Sequence, residues 1–205
     1  MAQNWSYIGA GAIQLGASAV VPVPAGYAAG DLLVIGLSSF GALTSTPTGW
    51  TAISGGSNAY AYYKFAGASE SSVTLAGGSG VGVSVMLCYR GILSADTSAA
   101  YAGATSTTIS TNTQTTTATD DLVISIFGCF DTSTNAITAP GSTTTRINQS
   151  ASYSTNNGLL IVDEDKAASG ATTARTATFS VSVTLGCISF SFKQNTKAGS
   201  MLLMF

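Results

Sequence analysis

Apolar residues in this chain fall in short runs rich in Val, Ile, Tyr and Phe, such as LLVIGL, AYYKF, VGVSVMLCY, DLVISIFGCF and LGCISFSF, and none of these runs carries a helical period. Clusters of Gly, Ser, Thr, Pro and Asn separate them, which is the pattern of strands and turns. The pattern predicts strands over residues 5–15, 32–37, 50–53, 60–65, 81–89, 122–130, 143–147, 159–162, 175–179 and 184–192. So many short strands with turn signals between them exclude an alternating α/β chain. They predict an all-β fold, a jelly-roll-like antiparallel sandwich of two sheets.

The two halves repeat one another. GDLLVIGLSSF is answered by TDDLVISIFGCF, TPTGWTAI by APGSTTTRI, AYYKFAGAS by DEDKAASGA, and VMLCYRGI by LGCISFSF with Cys88 set against Cys187. The order is kept, which predicts pseudo-repeats over residues 30–92 and 119–192 inside a single domain of residues 1–193. Two separate domains are the weaker expectation, because a half of this size has a marginal core. Residues 93–119 join the halves. Crowded with Thr, they are expected to run along a sheet edge, with a strand near 106–111 that hides the edge.

Only 8% of the 205 residues are charged while 45% are hydrophobic, so the core can be large but the surface must consist mostly of hydroxyls and amides. The seven Lys and Arg are scattered, which excludes a phosphate-tracking face and therefore a nucleic-acid partner. Nothing approaches the length of a membrane-spanning apolar stretch. The start, MAQNW, has no basic, apolar or cleavage region of a leader. Synthesis in a cytoplasm followed by release in a particle is the expectation. Cys88, Cys129 and Cys187 lie in apolar runs and are expected to be buried and free. With no His and no CxxC spacing, neither a metal nor a cofactor is expected.

The elements AGDLLVI, TPTGWTAI, AYYKFAGASE, VSVMLCYRGI, DDLVISIFG and PGSTTTRI, taken in order, resemble a family of bacteriophage virion structural proteins, minor structural or head- or tail-associated. The resemblance spans residues 21–192. It implies a sandwich mounted on a virion, in contact with other virion proteins, and it carries no catalytic residues.

The residues themselves support little chemistry. Ser–His catalysis is excluded by the absence of His. The two glutamates, Glu70 and Glu164, form a poor glycosidase pair. Asp163, Glu164 and Asp165 read as a solvated turn neutralised by Lys166. Asp31 and Asp120, just before strands, are expected to close the preceding turns through backbone amides. The chain is therefore expected to be non-enzymatic. Trp50, Tyr60 and Tyr62 are the candidates for stacking on a glycan, the ligand of the alternative reading as an adhesin. Tyr60 and Tyr62 should share one sheet face and Tyr63 the other. Residues 194–205 form a polar linker and an apolar arm, Met201, Leu202, Leu203, Met204 and Phe205. Side chains of this kind need cover, so the arm is expected to dock on a neighbouring subunit of a homo-oligomer, a trimer by expectation.

Overall fold

The computed structural model describes residues 3–16, 18–39, 45–56, 58–75, 81–98, 100–130, 135–150 and 157–195. The first half contributes β1 (Ser6–Ala10), β2 (Gln14–Leu15), β3 (Val20–Val21), β4 (Leu32–Ser39), β5 (Thr51–Gly56), β6 (Ala59–Phe65), β7 (Val73–Thr74) and β8 (Val81–Arg90). The second contributes β9 (Ile92–Ser98), β10 (Ala102–Ser110), β11 (Thr115–Thr116), β12 (Asp121–Phe130), β13 (Ile137–Thr138), β14 (Thr144–Gln149), β15 (Gly158–Lys166), β16 (Gly170–Ala171) and β17 (Thr176–Gln194). No helix occurs among the described residues. The fold is an all-β antiparallel sandwich, as the run lengths predict.

Each half builds its own sheet. The first runs β1-β8-β4-β6-β5 and the second β10-β17-β12-β15-β14. Counting in chain order only the five strands on each path, the two sheets have the same strand sequence from edge to edge. Each half also adds a two-stranded ribbon from corresponding points of the chain, β3 with β7 and β11 with β16. Register fixes the equivalences. Leu32 lies opposite Phe65 and Tyr89, and Leu122 opposite Asp165 and Phe192. Tyr89 therefore matches Phe192, and Cys88 matches Ser191. Cys187 matches Ser84, so the cysteines are not equivalent, and the DEDK segment sits two residues from where the sequence comparison places it.

Several strands differ from expectation for visible reasons. The first breaks into β1 and β2, because the backbone of Gly11 closes on Pro22 so tightly that a Cβ there would strike the Pro22 carbonyl. Residues 175–179 and 184–192 belong to one strand, β17. It stays continuous by changing partners along its length, from β13 and β10 to β12 and β9. The acidic segment Asp163–Lys166 is not a solvated turn but the end of β15. Gln194 is not linker but the last residue of β17. It is buried, accepting the Asn4 amide proton at 2.8 Å and donating to Asp120 at 3.2 Å. In the joining segment, β10 forms as expected at the edge of the second sheet, and β9 is an addition.

Three apolar layers result. The central one lies between the sheets and takes Leu32, Val34, Val85, Leu87, Ile124, Ile126, Ile161 and Phe190 from both halves. An outer layer covers each sheet, with Val21, Leu33, Ile35, Trp50 and Leu75 on the first and Phe127, Leu160, Phe179 and Leu185 on the second. Strands β4 and β12, buried on both faces, carry mostly apolar residues for this reason. The sheets approach most closely where Gly36 faces the tips of Ile126 and Ile161, and where Gly128 faces the backbone of Asn58.

Candidate functional site

The turn Pro47-Thr48-Gly49 delivers Trp50 to the start of β5. Gly49 takes φ +80°, and the Trp50 amide donates to the Pro47 carbonyl at 3.0 Å. The indole packs into the outer layer of the first sheet and is 9% exposed. Tyr62 is also buried in that layer, and Tyr60 is half-buried against it. Tyr63 lies on the opposite face, in the central core against Phe192, so the alternation expected along this strand is present.

A groove of about 330 Å³ opens beside Trp50, lined by the hydroxyls of Ser45, Thr46, Thr48, Ser71 and Ser72 and by Lys64 and Glu70. Lys64 binds Glu70 at 2.7 Å, and Glu70 also accepts the Gly67 amide proton at 2.6 Å. Burial pushes the Glu70 carboxyl up, but these donors outweigh it and hold the group below its ordinary range. The groove offers hydroxyls, one internally neutralised ion pair and the rim of an indole. That set suits hydrogen bonding to a neutral polar ligand.

Between the sheets lies a buried polar cluster that sequence reasoning missed. Asp163 on β15 is 1% exposed and accepts from Tyr89 Oη at 2.9 Å and Arg146 Nε at 2.6 Å. The Arg146 guanidinium stacks over Tyr7 at 4.3 Å, and Trp5 donates to Asp165 at 3.2 Å. Glu164, on the other face of the same strand, is forked by Arg175. Each glutamate thus has its own cation in its own half, and the two do not share a cleft. The signal in the sequence was alternation: Asp163 and Asp165 lie two apart on a strand and face the same way.

The three cysteines are free and buried. Burial, reinforced by the neighbouring Asp31, pushes the Cys88 thiol up to about 12, and burial pushes Cys187 to about 12. Among the described residues no three His, Cys, Asp or Glu side chains lie close enough to hold a metal ion.

No family model, no curated protein and no solved structure matches the chain. The arm of Met201, Leu202, Leu203, Met204 and Phe205 lies outside the described residues.

Proposed function

We propose that the chain is a non-enzymatic structural component of a phage virion, held on the particle surface by self-association and by its terminal arms. The observation that carries this reading is the burial of Trp50 and Tyr62. The aromatic faces best suited to a ligand are used instead as packing between strands. The handling of charge supports it further: five of the seven basic residues, Lys64, Arg90, Arg146, Arg175 and Lys193, pair with acids of the same chain. A face of hydroxyls and amides can be buried against a neighbour without desolvating free ions.

Deletion of residues 201–205 tests the arm. Light scattering and incorporation into particles should both fall, with the far-ultraviolet spectrum of the fold retained. Normal assembly of the shortened chain would refute the arm's role. The second reading, a glycan-binding module, is favoured by one feature, the hydroxyl-lined groove beside Trp50. It predicts that Trp50→Ala abolishes saccharide binding measured by calorimetry on the intact chain.

A further inference from the structure

Among the described residues, Asp121 is the carboxylate with both oxygens buried and unpartnered. It opens β12 fully buried. Buried carboxyls without donors are rare because desolvation is costly. A second acid, Asp96 on β9, faces Asp121, with the Ala118 amide nearby; the Asp96 side chain is 2% exposed. Asp96 is held firmly: Thr117 donates its amide to Oδ2 at 2.7 Å and its hydroxyl to Oδ1 at 2.5 Å. Lys193 Nζ stands 3.4 Å from the same Oδ1, looser than the ion pairs of Lys64, Arg90 and Arg146.

The strand order sets this arrangement. β17 runs between β9 and β12, so Lys193 occupies the middle strand with one acid on each flank. Asp96 falls where the β9–β17 register shifts, between the pairs Phe190–Ser98 and Phe192–Ala95. Burial, then Asp96, push the Asp121 carboxyl up to about 6, which makes it the acid of the pair that keeps its proton. The corresponding site in the first half shows what is unusual. There Asp31 is gripped by the Arg90 guanidinium at 2.7 and 2.9 Å. An arginine remains charged and is no nucleophile, whereas a lysine that gives up its proton is one.

The geometry points to an intramolecular amide bond between Lys193 Nζ and Asp96 Cγ, formed by the chain itself with Asp121 as the proton carrier. Asp121 first gives its proton to the Asp96 carboxylate and then takes one from the Lys193 ammonium. The free amine, held by the contact of Nζ with Oδ1 at 3.4 Å, attacks the adjoining Cγ, while the two Thr117 donors stabilise charge on the carboxyl oxygens. Asp121 returns its proton to the departing oxygen and takes the second proton from the newly bonded nitrogen. The Nζ–Cγ bond forms, one Cγ–O bond breaks and one water leaves. Asp121 ends as it began, and neither oxidant nor co-reactant is needed. The product ties β9, the first strand after the first sheet, to its neighbour β17 in the second sheet.

Mass spectrometry of the purified full-length chain under denaturing conditions tests this. The expected mass is one water below that of the sequence, after N-terminal processing that is read from a Lys193→Arg control. Digestion should yield a branched peptide joining the segments that contain Asp96 and Lys193. Asp121→Asn should restore the full mass. Asp96→Asn should give the same branched peptide, with loss of ammonia in place of water. If Asp121→Asn does not fold, the wild-type mass and its digest still decide. A folded wild-type chain at full sequence mass, with Lys193 recovered only in a linear peptide, overturns the proposal.

Discussion

The two halves of the molecule share a backbone plan and spend it differently. In each, a residue with positive φ, Gly30 or Asp120, turns the chain into a central strand headed by an aspartate, Asp31 just before β4 and Asp121 as the first residue of β12. Asp31 fulfils the turn-closing role expected of it, accepting the Ala28 amide proton at 2.8 Å. In the second half that position belongs to Asp121, with Ala118 as the nearby amide. Asp120, also expected to close the turn, accepts from Gln194. The first half neutralises its aspartate permanently with Arg90. The second surrounds its aspartate with another acid and a lysine, so its neutrality depends on a proton. A repeated topology thus fixes where polar groups meet, and the side chains alone decide whether the meeting is inert.

Complementarity at the sheet interface follows the same logic and gives the largest expected effects. Gly128→Ala would drive a Cβ into the Asn58 backbone oxygen, which cannot withdraw. Gly36→Ala meets only the Ile161 and Ile126 methyl tips at 2.6 and 2.9 Å. Denaturant unfolding should show a loss of about 3 kcal/mol or more for Gly128→Ala and about 1 kcal/mol for Gly36→Ala. Equal losses would break the contrast. Next is Arg146→Ala, which leaves Asp163 buried without its cation and should cost about 2–3 kcal/mol by the same measurement.

Titration should separate the halves by sign. Burial pushes Asp31 up, but Arg90 and the Ala28 amide outweigh it and leave the carboxyl below its ordinary value. Its stabilising contribution is therefore present above the unfolded value and lost as pH falls. Asp121 is raised to about 6, so its contribution is present below about pH 4 and lost as pH rises through 6. In a Lys193→Arg background, which keeps both acids, amide exchange at β12 should quicken between pH 4 and 6 beyond the intrinsic rise of about tenfold per pH unit, so that its protection factors fall. Asp121→Asn should flatten that response. Acceleration in the opposite direction would reverse the assignment. The smallest effect belongs to the partly exposed Lys64–Glu70 pair, where Lys64→Ala should cost about 1 kcal/mol or less.

Much of this was legible in the residues. The apolar runs gave the strands, and AGDLL against TDDLV gave the internal repeat, because both depend on local pattern. The acidic end of β15 was not legible, since DEDK looks like a turn until Arg146 and Arg175 arrive from other segments to pair with it. Cysteine spacing misled because β17 is longer than its counterpart β8 and carries Cys187 at a different point of the sheet. The aromatic candidates were placed on the correct faces, but their burial depends on the ribbons laid over the first sheet. The meeting of Asp96, Asp121 and Lys193 depends on three strands being neighbours, which no local stretch encodes. The one hint was the second aspartate standing where the first half has glycine.

The central proposal is that this chain serves as a structural building block of a virion. Antibody labelling of intact purified particles, with quantitative mass spectrometry of the same preparation, tests it most directly. The account predicts surface labelling at a fixed position and a constant copy number per particle. Particles free of the chain, with all of it recovered in the unassembled fraction, would contradict it.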